Sequence, residues 1–509
     1  MKTYRCIILS VLIFLGICPA GASSFGVRAA YLDFRTQVMT VPAMKEFAKN
    51  VADRGLNAIV IEYEATFPFR ENLTLRNRYA FSEDEIRDFI DYCSGIGVEV
   101  IPLQNCFGHA EYILRHERYA SLKENRKDCS QVCPVKSEEA ERVFRSIFRE
   151  IAEMHPSEYM HIGCDETRLL GSCPKCREVV GASGISKLYV DYVALMCNIV
   201  TELGKTPMIW ADIILKHPEA ISGLPGNVVI VDWNYGWKPD HFGKMENIED
   251  SGHVIWGASS LRSHPDNLYL VQWRKHLDNI FNYSSYASEH GFYGFINTSW
   301  STSGTYGYIY DDHDEVMDIQ PVREVYPQTG FDMLDEAFAS AMSGRHKDAE
   351  SFLDDYCHTN LGLTEADDIA AVKAYFNMKQ NPVYAFDGQK ERIRKELDGC
   401  IDVHKGLAAV KFPPKAKLIA RHLELMLNIR INYLNFKLVE VETEADGFTV
   451  EKSESLLREL KSIAAECRAL RKAFVSLNRD YLKDAPKAFG DWTYYGKIQN
   501  LISVLENMH

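Results

Sequence analysis

Between residues 26 and 300 the chain alternates short apolar, β-rich runs with longer amphipathic stretches, and it does so eight times. The runs lie at 27–32, 58–63, 98–103, 159–163, 206–210, 227–232, 253–256 and 294–298. The intervening segments carry helix signals. Pro42 to Asp53 has helical spacing, Ser82 and Glu85 form a capping box before the next amphipathic stretch, and Glu138 to Met154 is amphipathic throughout. Eight strands separated by helices over roughly 270 residues is the expected length of a (β/α)8 TIM barrel. A doubly wound open sheet fits less well, because the strand count is high and there is no Gly-rich phosphate loop.

Beyond about residue 330 the strand-like runs vanish. Residues 416–431 and 451–477 place apolar side chains three and four apart, which predicts a C-terminal α-helical domain packed on the barrel. A chain of 509 residues suits two or three units. The expected division is a leader over 1–22, a barrel over 23–330 and helices over 331–509.

The leader expectation rests on Lys2 and Arg5, the apolar run Ile7 to Leu15, and the small residues Ala20-Gly21-Ala22. A second reading makes Cys18 a lipid-bearing residue, but Ile17 is bulky where a small residue is wanted. No other apolar run is long enough to span a bilayer, so the mature chain is expected to be exported, periplasmic or extracellular. A net charge of -14 argues against nucleic acid as a partner, since no basic surplus exists to neutralise phosphates. Thirteen cysteines sit awkwardly with export; without Cys6 and Cys18 eleven remain, an odd number.

In a barrel of this kind chemistry sits at the C-terminal ends of the strands. Those ends carry Asp33 and Arg35, Glu62 and Glu64, Gln104, Asn105 and His109, and then Asp165 and Glu166. Trp210 and Asp212, Asp232 to Tyr235, Trp256 and Trp300 complete the set. Taken singly each is weak: an Asp-Glu pair arises by chance in an acidic chain, and a Trp at a strand end is as often core as platform. His161 points opposite to Ile162 and reads equally as a buried structural histidine or as support behind the acids. Together they form a rim of acids, one basic group and aromatic plates, suited to a neutral polyol with an apolar face. A phosphate site would want more Arg and Lys, and a metal site convergent His and carboxylate ligands. No cofactor and no catalytic metal are expected.

The fourth run ends in His161-Ile-Gly-Cys-Asp-Glu166, which resembles the H-x-G-x-D-E signature of family 20 of the glycoside hydrolases, the β-N-acetylhexosaminidases. Ile61 to Pro68, Val100 to Glu111, Ile209 to Asp212 and Ile255 to Ser260 resemble the hexosaminidase D-like branch at the second, third, fifth and seventh strands. The resemblance implies an exo-acting, retaining enzyme that removes terminal GlcNAc or GalNAc from glycans with the substrate's own 2-acetamido oxygen as nucleophile. Glu166 would be the general acid and base, and Asp165 would hold and polarise the acetamido group. A neighbouring carboxylate is expected to raise the proton affinity of Glu166. Arg35, Glu64, His109, Trp210, Asp212, Trp233, Tyr235, Trp256 and Trp300 would bind the sugar, with His161 behind them. Gly163 would let the backbone turn so that both acids act on one side.

The pattern departs from the family after the eighth strand, where Trp300-Ser-Thr-Ser-Gly304 lacks a nearby acid; Asp312 or Glu324 would have to substitute, leaving gluco against galacto selectivity open. Cys129 and Cys133, with Cys173-x-x-Cys176 further on, leave three readings open: structural zinc, disulfides or thiols, a disulfide being the simplest in an exported chain. Two other functions compete. One is a barrel glycosidase using separated carboxylates, such as Glu64 with Glu166, on a sugar without the acetamido group. The other is a non-catalytic sugar-binding barrel.

Overall fold

The structure, a computed structural model, describes residues 25–508 except 264–265, 267–269, 302–305, 308–319, 322–324, 384–388, 487–488 and 490–493. The expected leader, Asp312 and Glu324 lie outside the described residues.

Eight parallel strands close into a barrel in which sequence neighbours pair and the eighth pairs with the first. In order they are Val27–Asp33, Ala58–Glu62, Glu99–Leu103, Tyr159–His161, Thr206–Trp210, Val229–Trp233, Val254–Arg262 and Gly294–Ser299. Both faces of such a sheet are covered, so the strands read as near-continuous apolar runs. Alternation still sorts them. Ala29, Tyr31, Val60, Leu103, Met208, Trp210, Val231 and Ile296 fill the barrel interior. Ala30, Leu32, Ile59, Ile61, Ile209 and Phe295 face outward into the layer beneath the helices.

Helices Val41–Asp53, Glu83–Gly95, Ser137–Met154, Ile185–Glu202 and Trp273–Glu289 cover the outside. The Ser82–Glu85 capping box forms as expected, each partner bonding the other's backbone N–H. After the fifth and sixth strands only short helices form, Asp212–Lys216 and Glu246–Glu249. Gly and Pro at 223–226, and again at 236, 239 and 243, interrupt a longer helix there. Asp332–Ser343 packs against Trp273–Glu289, sets Phe338 on Phe295, and pairs Asp332 and Glu336 with Arg54 at the end of the first helix. It occupies the eighth helical position around the barrel.

The long helices Lys417–Glu444 and Val450–Asn478 run side by side in the C-terminal region. The chain beyond them returns to the barrel mouth. There Lys483 N donates to Val38 O at 2.9 Å, Thr40 N donates to Tyr481 O at 2.9 Å, and Tyr79 OH donates to Asp484 at 2.7 Å. Turn residues after the last long helix thereby brace the loop that follows the first strand and carries Arg35.

Candidate active site

The fourth strand stops at His161, and the backbone then turns sharply. Gly163, Cys164 and Glu166 have positive φ of 73°, 74° and 45°. The other non-glycine residues with positive φ among those described are Glu64 and His109, at 45° and 52°. All four strained non-glycine residues therefore lie on loops at the C-terminal ends of the second, third and fourth strands. Such backbone costs on the order of 1–3 kcal/mol per residue and persists where the surroundings enforce it. Glycine is required at two close approaches. A Cβ on Gly163 would collide with the Asn105 side-chain oxygen, and one on Gly108 with the Asp165 carbonyl.

The turn brings Asp165 and Glu166 to the same side, with His109 between them. His109 Nε2 lies 3.4 Å from Asp165 Oδ2 and 3.2 Å from Glu166 Oε2. Burial alone would lower His109, but the Asp165 charge and hydrogen bonds to both acids hold it well above the ordinary histidine value. The imidazolium in turn acts on Glu166. Burial would raise that carboxyl, yet His109 and Arg168, whose Nη2 lies 2.7 Å from Glu166 Oε1, pull it down to about 2. The expectation that a neighbouring carboxylate raises Glu166 is thus reversed, because His109 and Arg168 outweigh the effect of burial.

Asp212, at the end of the fifth strand, accepts the backbone N–H of Glu166 at 3.2 Å and is pushed up to about 7 by burial and then by Asp165. One carboxylate oxygen of Asp165 and one of Asp212 are buried without a hydrogen-bond partner, as is the indole N–H of Trp233. Orphaned buried polar atoms of this kind call for a ligand or water.

Aromatic rings wall the space. The centroids of Trp210 and Trp300 are 6.0 Å apart, Tyr31 lies 4.9 Å from Trp300, and Trp233 lies 5.1 Å from Tyr235. Trp300 Nε1 donates to Tyr235 OH at 2.8 Å, and Thr298 Oγ1, whose own proton goes to the Ser259 carbonyl at 2.8 Å, lies 3.2 Å from the same phenol oxygen. His161 lies under this wall, 4.3 Å from Trp210, and accepts the Gly163 N–H. Burial lowers it to about 3, so it is neutral and supports the turn.

On the other side Arg35 makes paired hydrogen bonds to Asp33 at 3.0 and 2.9 Å, lies 3.5 Å from Glu62, and sits 5.3 Å above Trp300. Glu62 accepts from Tyr31 OH at 2.6 Å and from Asn105 at 2.7 Å, and Asn105 reaches Glu64 at 3.2 Å. Burial pushes Glu62 up to about 8, with Arg35 acting in the opposite sense and Asp33 and Glu64 adding to the rise.

Two rim residues move. Trp256 is not at the mouth: the seventh strand runs on to Arg262, and Trp256 aligns with Gly294, the first residue of the eighth strand. It packs 5.1 Å from Tyr159, the first residue of the fourth strand, and so fills the opposite end of the barrel. A strand read as ending at 256 misplaced it by six residues. Asp232 faces outward to Tyr283, while its neighbours Val231 and Trp233 face inward. Sequence reasoning missed Arg168, although it stands two residues after the acids, and Tyr31, whose inward direction follows from strand alternation.

A closed (β/α)8 barrel with strained loops, a paired Asp-Glu at its mouth and a wall of indoles has the layout of a glycoside hydrolase. The chain belongs to glycosyl hydrolase family 20, whose catalytic domain matches residues 33–305. It is similar to hexosaminidase D of Homo sapiens, with 31% identity over 258 residues, 48% of this chain and 52% of that protein. Hexosaminidase D of Bos taurus is 29% identical over 312 residues, 58% of this chain and 88% of that protein. The match thus spans about half the length of the human relative and most of the bovine one. The crystal structure of a β-N-acetylhexosaminidase from Bacteroides fragilis NCTC 9343 shares the fold, with a TM-score of 0.51 and 20% identity over 66% of this chain and 70% of that one.

Proposed function

We propose that the chain is an exported, exo-acting, retaining β-N-acetylhexosaminidase that removes terminal GlcNAc or GalNAc from glycans by substrate assistance. The observation that carries this reading is the Asp165–His109–Glu166 cluster at the mouth of a family 20 barrel, with a free acceptor oxygen on Asp165. That oxygen suits the substrate's amide N–H. Accepting it would orient the acetamido carbonyl toward the anomeric carbon and stabilise the positive charge of the forming oxazolinium. Tyr235 stands on the same wall, and Trp210, Trp233 and Trp300 supply faces for the ring and the methyl group. Arg35 and Glu64 lie where sugar hydroxyls would reach. The barrel unit in this reading includes the helix Asp332–Ser343.

Glu166 enters as a carboxylate paired with His109. Binding of the sugar displaces Arg168 from its partner, dehydrates the acid, and lets the proton shared with His109 reside on Glu166 for delivery to the glycosidic oxygen. In the second step Glu166 takes a proton from the water that opens the oxazolinium. The export component rests on the residue pattern of 1–22 alone.

The test is hydrolysis of aryl N-acetyl-β-glucosaminide and galactosaminide, compared with the matching aryl glycosides that lack the acetamido group. Turnover confined to the acetamido sugars, with Glu166→Gln reduced at least about 10³-fold, is expected. Equal turnover of both classes would overturn the reading. A covalent sugar trapped on a carboxylate would show a two-carboxylate mechanism instead.

A further inference from the structure

Some residues away from the barrel mouth converge without a role in the chemistry above. The antiparallel hairpin formed by Lys123–Asn125 and Asp128–Val132 brings Glu124 and Cys133 against Cys173 and Cys176, which cap and begin the helix Pro174–Ser183. One ligand atom from each of the four lies within 4.8 Å of the others. Cys133 Sγ is 3.7 Å from Cys173 Sγ and 3.6 Å from Cys176 Sγ, and Cys176 Sγ is 3.2 Å from Glu124 Oε2. Three of the four residues are buried.

These distances exclude bonded sulfurs, which stand about 2.0 Å apart. They do match the edges of a tetrahedron around zinc. With Zn–S near 2.3 Å the sulfur–sulfur edge is about 3.8 Å, and with a carboxylate at 2.0–2.2 Å the sulfur–oxygen edge is about 3.5 Å. The surroundings point the same way. Glu124 Oε1 accepts the Cys173 N–H at 2.8 Å, which turns Oε2 toward the sulfurs, and the Cys176 N–H donates to Cys173 Sγ at 3.3 Å. Among the described residues no Lys, Arg or His pairs with Glu124, although its carboxylate is buried beside three thiols. A buried carboxyl oxygen facing three sulfur ligands suits a cation. Cys129, which the residue pattern grouped with Cys133, lies in the main hydrophobic core instead.

We propose that Glu124, Cys133, Cys173 and Cys176 form a structural zinc site. All four positions belong to protein, so no coordination position is left for a reacting water. The site ties the acid-bearing loop to the His109 loop. The hairpin bonds the His109 loop on both sides, Val132 N to Phe107 O and Ala110 N to Ser130 O, each at 3.0 Å. Gln131 Oε1 accepts the Leu169 N–H at 2.8 Å, just after Arg168. A metal joining Glu124 and Cys133 to Cys173 closes the loop that begins at Asp165.

The test is metal analysis of the full-length protein purified under reducing conditions without chelator, then reconstituted with zinc or cobalt(II). One zinc per chain is expected, together with the visible bands of tetrahedral thiolate-bound cobalt(II) and protection of three thiols from titration. Cys133→Ser or Cys176→Ser should abolish stoichiometric metal, and Cys129→Ser should retain it. Where a variant fails to fold, cobalt spectra and thiol protection in the unaltered chain still decide. A folded protein that takes up no metal, or in which these thiols titrate freely or form a disulfide by intact mass, would overturn the proposal. So would equal loss of metal in Cys129→Ser.

Discussion

Replacing His109 with Gln removes the cation that spans the two acids and separates Glu166 from its proton store. Glu166 stands at about 2 against an ordinary 4.5, since His109 and Arg168 together outweigh the opposing effect of burial. The difference corresponds to about 3 kcal/mol in favour of the carboxylate. His109 is held well above its ordinary value by Asp165 and by hydrogen bonds to both acids, so His109 and Glu166 hold one proton between them. The alkaline limb of kcat/KM in the unaltered enzyme therefore follows the pair. In His109→Gln the acid must hold its proton alone. A carboxyl near its ordinary value is protonated about once in 300 molecules at pH 7, so kcat/KM on an aryl substrate with a poor leaving group should fall roughly 10²-fold. The alkaline limb should move down by more than about one pH unit. A reactive leaving group needs little protonation, and its loss should be several-fold smaller. The assay is a pH series on the two aryl substrates. An unmoved alkaline limb, or equal losses on both leaving groups, would refute the shared-proton argument.

Glu111 is buried behind His109 with one oxygen unpartnered, and burial pushes it up to about 8. A carboxyl raised in the native state binds its proton more tightly there, so stability is lost as pH rises from about 4.5 to about 8. Glu111→Gln should leave Tm nearly unchanged at the acid end and raise stability by as much as ~5 kcal/mol above the window; a calorimetric gain that does not grow with pH would contradict this. Gly163→Ala places a Cβ against Asn105 at a φ of 73°. It should cost ~2–3 kcal/mol and lower kcat at least about 10-fold, whereas unaltered kinetics would show that the turn is not needed. Trp256→Phe should lower stability by ~1–3 kcal/mol and leave KM unchanged, while Trp300→Phe should raise KM; a raised KM in Trp256→Phe would return that residue to the site.

The barrel was legible because a parallel sheet covered on both faces writes each strand as an apolar run, and a polar residue after each run marks its C-terminal end. The turn at the candidate site was legible through Gly163, which precedes two adjacent acids. Strand length was not. Gly257 and Ala258 break the apolar run after Trp256, yet the backbone stays extended to Arg262 because the sixth strand pairs as far as Ala258 and the eighth continues the ladder to Arg262. The protonation of Glu166 was also hidden, since it depends on His109 and Arg168 arriving from different directions. Glu124 escaped notice because a carboxylate in a short polar hairpin carries no local signature. Its partners are set by a contact across some fifty residues, and spacing between cysteines suggested Cys129 in its place.

Substrate assistance is tested most directly by grading the nucleophile within the substrate. Aryl β-glucosaminides bearing N-acetyl, N-difluoroacetyl and N-trifluoroacetyl groups keep the same leaving group while the amide oxygen becomes progressively less nucleophilic. A steep, monotonic fall in kcat/KM along the series is expected, and in Asp165→Asn both the rate and its dependence on the acyl group should shrink. A rate indifferent to fluorination would mean that the amide does not attack, and would contradict the role given to Asp165.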